Sequence, residues 1–124
     1  MFYKNLVHES RFKKFINGNP CKVKNEYIAA VYLVSADKDT WCRMRDAITD
    51  RAIDFSKAKI SEIGNYGYLL LRTAQDIYDG TLHIDFPTLC DPYIVSNKSF
   101  ELIMTALRIA RYGYGAMDFN KKFN

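Results

Sequence analysis

Few residues in this chain are of the kinds that build a metal centre or a disulfide framework. Its 124 residues include only 3 cysteines, 3 prolines, 2 histidines and 1 tryptophan. The thiols of Cys21, Cys42 and Cys90 are too far apart in sequence for the paired spacing of a zinc site. An odd number of thiols is typical of a reducing compartment. The sequence therefore predicts no metal site and no cofactor.

Long hydrophobic runs are also missing. No apolar stretch approaches the roughly 18 residues that a membrane-spanning helix needs. The first residues include Lys4, His8 and Glu9, so they lack the apolar stretch of a secretion signal. We therefore expect a cytoplasmic protein without membrane contact.

The charge balance excludes some classes of partner and permits others. Lysine and arginine number 18 against 14 acidic residues, a net charge of +4. This charge argues against an acidic mimic of DNA, and it is less dense than the basic stripe of a dedicated DNA-binding protein. Hydrophobic residues make up 48% of the chain, which is typical of a globular protein. The length predicts one domain over residues 1–124.

Apolar residues recur mostly at helical spacing, which predicts a mainly α fold of five or six helices. The first helix begins near Asn5, with Leu6, Phe12, Phe15 and Ile16 on its buried side. The second is apolar nearly all round and is expected at the centre. This second helix is expected over residues 26–36, and the third over residues 39–48 with Asp39 as its cap. A short helix is expected to end before Gly64, and two long ones to follow, over residues 66–78 and from Ser96 or Asn97 to Gly113.

Residues 81–95 interrupt the helical pattern. Pro87 and Pro92 exclude a continuous helix there. The first residues of the segment alternate between apolar and polar, which is compatible with a short strand or with an extended segment over the core. We expect at most a minor β element around residues 81–95.

The histidines and acidic pairs predict no catalytic centre. His8 and His83 are expected to be exposed or to cap a helix, because neither has the spacing of a metal ligand. Cys90 follows His83 by seven residues, but a cysteine nucleophile also needs contact with the histidine and a third, orienting group. A non-enzymatic protein is therefore expected.

The most suggestive polar cluster lies at the C-terminus. Cations near the end of a helix are favoured by its dipole, which would explain the arginines without any partner. Arginine and tyrosine are also the residues enriched in binding hot spots. We predict a partner-binding surface, followed by a partly ordered basic tail over residues 114–124. The residues predicted to form the partner-binding surface are Arg108, Arg111, Tyr112, Tyr114, Lys121 and Lys122.

Several short patterns between residues 2 and 80 resemble those of a known group of proteins. They are His8 with Arg11-Phe12, Tyr27, Ala30 and Tyr32-Leu33 before Ser35-Ala36-Asp37, and Leu70-Leu71 with Ala74 before Ile77-Tyr78-Asp79-Gly80. The order is similar to that of small proteins from phages and mobile elements of low-GC Gram-positive bacteria. This resemblance implies a helical fold and a location in the bacterial host cell.

The resemblance and the small size together favour a binding function. We expect an accessory protein of a phage or prophage that engages a host or phage protein. An inhibitor of a host defence complex, in the manner of an anti-CRISPR, is one concrete version. A small nucleic-acid-binding regulator is the alternative, and it requires the basic residues of the first and last helices to share one face.

Overall fold

The computed structural model describes residues 1–17 and 23–115, and this part of the chain is mainly helical, as predicted. It contains six α-helices and two 3₁₀ turns, and its only β element is an isolated bridge between Ile48 and Ile53. The helices are α1 (Leu6–Asn17), α2 (Asn25–Val34), α3 (Lys38–Met44), α4 (Asn65–Asp79), α5 (Phe86–Leu89) and α6 (Asn97–Tyr112).

Helix α2 occupies the centre of the molecule, as its all-round apolar sequence predicts. Every residue from Tyr27 to Val34 is buried, and the longer helices α4 and α6 both pack on α2. The end of α6 meets the start of α2, because Gly113 lies against the side chain of Asn25. Full burial of an aliphatic side chain stabilises the fold by about 1.5–3 kcal/mol, so α2 contributes more than its length suggests.

The two long helices begin and end where the sequence predicts. Ser96 caps α6, because its hydroxyl oxygen accepts a hydrogen bond from the Ser99 amide at 3.1 Å. Helix α4 ends at Gly80, whose φ of 75° is the left-handed conformation that glycine adopts without steric cost. The sequence alone therefore locates both helices that flank α2.

Helix α1 begins as predicted, and its buried side is the predicted one except at Leu6, because Phe12 is buried and Phe15 and Ile16 pack against the core. The side chain of Asn5 accepts a hydrogen bond from the His8 amide, which makes Asn5 the cap. Leu6, predicted to be buried, is 82% exposed, whereas His8 and Phe12 are fully buried. Positions 6 and 8 are about 200° apart around a helix, so the two side chains point to opposite sides. The prediction for Leu6 is therefore wrong, and His8 takes the buried position in the first turn of α1.

The connection between α3 and α4 differs from its predicted form. Asp37, not Asp39, caps α3 by accepting a hydrogen bond from the Thr40 amide. No α-helix forms between the 3₁₀ turn Phe55–Lys57 and α4, where a short one was predicted. Arg43 explains the difference, because its guanidinium donates to the carbonyls of Lys59 and Ser61. The Ile63 amide accordingly donates to the Ile60 carbonyl and not to that of Lys59, the partner it would have in an α-helix.

The segment over residues 81–95 forms a short helix rather than a strand. Asp85 caps α5 by accepting from both the amide and the hydroxyl of Thr88. Pro87 occupies the first turn of α5, the position where its missing N–H has no structural cost. The proline that excluded a long helix thus favours the start of a short one.

Candidate functional site

The last turns of α6 present cationic and aromatic side chains to solvent. Arg108 and Arg111 are exposed, and the guanidinium of Arg111 lies 5.3 Å from the centre of the Tyr112 ring. Tyr112 and Leu107 are 59% and 41% exposed. Residues three and four positions apart share one side of a helix, so these side chains form a continuous surface. We call it the C-terminal patch: Leu107, Arg108, Arg111 and Tyr112.

The fold makes little use of the C-terminal patch. Helix α6 packs on the core through the opposite side, where its buried residues lie. Neither Arg108 nor Arg111 forms an ion pair with any described residue. A guanidinium without an internal partner can form a two-pronged hydrogen bond with an external carboxylate. The patch therefore has the chemistry of a contact surface.

Tyr114 belongs to the packing between α6 and α1. Its ring meets that of Phe12 edge to face, with the centres 5.4 Å apart. Burial, together with the nearby Tyr114 hydroxyl and a hydrogen bond to it, raises the pKa of Tyr3 above its usual range. Tyr114 thus holds the end of α6 against the N-terminal part of the chain. Lys121 and Lys122, predicted to join the same surface, lie outside the described residues.

The basic side chains of α1 are mostly engaged within the molecule. Arg11 donates a hydrogen bond to the carbonyl of Ser35, and Lys13 pairs with Glu9 at 2.7 Å. Lys14 is exposed. Because internal pairing competes with external anions, α1 offers less positive charge to a partner than its sequence suggests.

His8 is buried, contrary to the expectation that it is exposed or caps a helix. Its Nε2 atom donates to the carbonyl of Tyr32 at 2.8 Å, and its Nδ1 atom accepts from the Lys4 amide at 3.0 Å. A carbonyl can only accept and an amide N–H can only donate, so Nε2 carries a proton, Nδ1 carries none, and the ring is neutral. Burial is the main reason that the pKa of His8 falls to about 4. Both ring nitrogens are occupied, so His8 has a structural role.

The second histidine belongs to a cluster centred on the carboxylate of Asp76. That carboxylate accepts hydrogen bonds from the Thr81 hydroxyl at 2.6 Å, the Ile84 amide at 2.7 Å, and both the amide and Nδ1 of His83 at 2.9 Å. Burial acts to raise the pKa of Asp76, but these hydrogen bonds outweigh it and lower the pKa. Asp76 therefore fixes the start of the segment that follows α4.

Replacing Asp76 with asparagine is expected to lower the free energy of unfolding by about 1–2 kcal/mol. The amide loses the charge-assisted part of several hydrogen bonds, and one of its two heavy atoms can no longer accept. Chemical denaturation at pH 7 measures the change, and Asp79→Asn, on the exposed end of the same helix, is the matched control. Equal stability of the two variants would contradict the role assigned to Asp76.

The pH dependence of this cluster has a defined sign. The folded-state pKa of Asp76 lies below its unfolded value, so the stabilisation is complete above about pH 4 and is lost as the pH falls through the folded pKa. Asp76→Asn should remove this part of the acid dependence.

The part of the chain that the structure describes brings together neither a set of metal ligands nor a hydrogen-bonded cysteine–histidine pair. No group of three or more histidine, cysteine or acidic residues is arranged there to hold a metal ion. Cys42 and Cys90 are exposed free thiols, and no hydrogen bond joins Cys90 to His83 in residues 1–17 and 23–115. Cys21 lies outside those residues.

A groove that the sequence analysis missed lies between the first turns of α4 and α6. It has a volume of about 560 Å³, and residues of the connection between the two helices also line it. We call it the tyrosine groove, because three of its lining residues are tyrosines. The lining consists of Asn65, Tyr66, Tyr68, Leu69, Ile84, Thr88, Tyr93, Ile94, Ser96 and Ser99.

The tyrosine groove is bordered by unusually exposed apolar side chains. Tyr93 is 98% exposed, Ile94 58%, and Phe86, on the short helix that also carries Thr88, 80%. Clustered exposure of large apolar residues marks binding surfaces more often than isolated exposure does. One signal in the sequence was the set of large apolar residues next to Pro87 and Pro92, where no regular element buries them.

Comparisons with protein-family models, curated proteins and solved structures found no match for this chain. Among the described helices, none combines the length and the apolar character needed to cross a membrane.

Proposed function

We propose that the protein acts by binding another protein and has no catalytic activity of its own. The observation that carries this proposal is the C-terminal patch, where Arg108, Arg111 and Tyr112 stand exposed on a face that the core does not use. Arginine and tyrosine dominate the binding energy of many protein interfaces, because they combine a large contact area with directional hydrogen bonds.

We propose further that the chain is an accessory protein of a phage or prophage and engages a protein of the bacterial host cell. The resemblance over residues 2–80 and the small size support this source. Blocking a host defence complex, as an anti-CRISPR does, is the most concrete form of the proposal. Such inhibition needs only a surface that occupies the target, which is compatible with a small helical protein without a catalytic centre.

The positions of the basic residues favour a protein partner over nucleic acid. Nucleic-acid affinity comes largely from several cations that contact successive phosphates. On α1, Lys13 is neutralised by Glu9 and Arg11 is held by the Ser35 carbonyl, which leaves less mobile positive charge to contact phosphates. A small nucleic-acid-binding regulator remains the second candidate, and the salt dependence of binding separates the two.

Removing the charges of the patch is expected to weaken partner binding by about 2 kcal/mol or more. The variant Arg108→Ala/Arg111→Ala should keep its melting temperature, because both side chains are exposed. The control Arg51→Ala/Lys57→Ala removes the same net charge at other exposed positions. Partners captured from host lysate with the wild-type protein are purified, and their affinities for both variants are measured by calorimetry.

The dependence of affinity on salt identifies the class of partner. Affinity for a protein should change only modestly between low and physiological salt, whereas affinity for nucleic acid should fall steeply as phosphate counterions are released. If Arg108→Ala/Arg111→Ala and the control Arg51→Ala/Lys57→Ala lose the same affinity, net charge alone explains the loss. That result would contradict a specific role of the C-terminal patch.

A phage assay tests the proposed biological role directly. The wild-type chain, expressed in a low-GC Gram-positive host whose CRISPR system targets a phage, should restore plaque formation. The Arg108→Ala/Arg111→Ala variant should not, although it accumulates to the same level. Absence of restoration by the wild-type chain would reject anti-CRISPR activity against that system.

A further inference from the structure

We propose that a pocket beside the second half of α4 binds a small zwitterion with an apolar body, such as a hydrophobic amino acid. The carboxylate of the ligand would pair with Arg72 and its ammonium with Asp79, and its apolar side chain would rest on Ile53 and Phe55. We call this site the charged pocket. It has a volume of about 500 Å³ and lies between α4 and the chain around the 3₁₀ turn Phe55–Lys57. It shares no residue with the C-terminal patch, so the inference does not depend on the function proposed above.

One wall of the charged pocket is a polar face of α4. Arg72, Gln75 and Asp79 all line it. They occupy positions i, i+3 and i+7 of one helix, which lie on the same side. The fold therefore presents a cation and an anion to the same cavity.

The guanidinium of Arg72 is oriented by the chain but keeps donors for a ligand. Its Nη1 atom donates to the Oε1 atom of Gln75 at 2.7 Å, and the guanidinium lies 5.2 Å from the centre of the Tyr68 ring. The Nε atom is closed off from solvent, so Nη1 and Nη2 are the nitrogens that a ligand can reach. Because two contacts already fix the side chain, binding a carboxylate costs little further conformational entropy.

The charges of Arg72 and Asp79 are close together but not paired. Gln75 holds the guanidinium within about one helical turn of Asp79, and residues four positions apart lie about 5–6 Å apart on a helix surface. No ion pair joins Arg72 to Asp79, and the Asp79 carboxylate has no partner among the described residues. The ammonium and carboxylate of an α-amino acid are separated by a single carbon atom, so one such molecule can reach both side chains.

The opposite wall of the pocket is apolar. Ile53 and Phe55 line it and are each only 6% exposed, and Ile60, also in the lining, is 40% exposed. Small-molecule sites typically combine apolar walls with a few convergent polar groups. A bare inorganic ion would leave these apolar side chains in contact with water, whereas a ligand with a hydrophobic side chain would cover them.

The balance of charge in the pocket requires a ligand that carries an ammonium group. Asp54 also lines the pocket, and hydrogen bonds from the Ser56 hydroxyl and amide lower its pKa, so it is ionised at neutral pH. Two carboxylates therefore face one guanidinium. A simple anion would be repelled by both carboxylates, and a simple amine would leave Arg72 without a partner. A zwitterion satisfies both signs of charge.

Binding of three related probes tests the inference. The probes are leucine, leucinamide, which lacks the carboxylate, and N-acetylleucine, which lacks the ammonium. Shifts of the backbone amide NMR signals, followed during titration at neutral pH, report both affinity and location. Leucine should bind at roughly millimolar concentration, with the largest shifts at residues 53–60 and 72–79. Leucinamide and N-acetylleucine should each bind about fivefold or more weakly than leucine, because each lacks one charge-assisted contact.

Two variants assign each charge of the ligand to its partner. Arg72→Gln should weaken leucine about fivefold or more but leave leucinamide unchanged. Asp79→Asn should weaken leucine similarly but leave N-acetylleucine unchanged. This crossed pattern distinguishes lost contacts from a distorted fold, which would weaken all three probes. The control variants Arg108→Gln and Glu101→Gln, at exposed positions of α6, should leave every affinity unchanged.

The inference is overturned if leucine produces no saturable shifts at the charged pocket, or if the three probes bind equally well. It is also overturned if either variant weakens all three probes by the same factor. None of these outcomes would affect the C-terminal patch, whose test uses different residues and captured partners.

Discussion

The free energy of unfolding is expected to fall by about 3 kcal/mol as the pH is lowered from 7 to 4, because of His8 alone. Its pKa is about 4 in the folded protein, mainly because the ring is buried, against about 6.5 in the unfolded chain. The unfolded state therefore takes up the proton first. Stability is complete above about pH 6.5 and declines by up to about 1.4 kcal/mol per pH unit until the folded state is protonated as well.

The hydrogen bonds of His8 show why the folded state resists protonation. The Nδ1 atom accepts from the Lys4 amide, so a proton on Nδ1 would place two donors face to face. The Nε2 atom already donates to the Tyr32 carbonyl. The added charge would also lie in a fully buried site near Arg11 and Lys4, both of which lower the pKa.

Urea denaturation at several pH values measures this contribution, and two substitutions isolate it. His8→Gln keeps a donor and an acceptor but cannot take up a proton, so the decline between about pH 6.5 and 4 should become smaller. His83→Gln should keep the full decline, because His83 is partly exposed and contacts Asp76 rather than the core. If His8→Gln and the wild-type protein lose stability in parallel, the buried neutral ring is not the cause.

The burial of His8 also shows where local sequence patterns reach their limit. Helical spacing located α1, its cap at Asn5 and the buried Phe12, but the burial of His8 depends on a contact with Tyr32, 24 positions away. The partner of the His8 ring is the backbone carbonyl of Tyr32, and because every residue has a carbonyl, the sequence does not show which one the ring will contact. Spacing alone therefore favoured Leu6 as the core residue of the first turn.

Where a segment decides its own structure, the prediction was correct. Helix α2 is apolar on every side, so any packing arrangement that buries it places it at the centre. Gly80 and Ser96 mark the end of α4 and the start of α6 through local backbone and hydroxyl geometry. In contrast, the segment before Gly64 is shaped by Arg43 from another element, so its own spacing predicted a helix that does not form.

The two candidate surfaces differ in the same way. Arg108, Arg111 and Tyr112 follow one another on a single helix, so their common surface could be predicted from spacing alone. The tyrosine groove combines residues from α4, α6 and the connection between them. Tyr66 and Tyr93 are 27 positions apart in the sequence, and no spacing rule joins them. Sites that form between elements require the tertiary structure.

Replacing Val31 with aspartate is expected to cost about 4 kcal/mol or more, enough to unfold a marginally stable domain at pH 7. Val31 is fully buried in α2, the helix on which both α4 and α6 pack. An aspartate there would either hold an unpaired charge away from water or take up a proton at the expense of stability.

The exposed Val7, on the first turn of α1, provides the matched control for this substitution. Val7 is 61% exposed, so Val7→Asp makes the same chemical change at little cost, and a negative charge near the start of a helix is favourable. Val31→Ala separates lost packing from buried charge, because it should cost only about 1–3 kcal/mol. Thermal unfolding followed by circular dichroism ranks the variants. A melting temperature of Val31→Asp equal to that of the wild-type protein would mean that α2 is not the central helix.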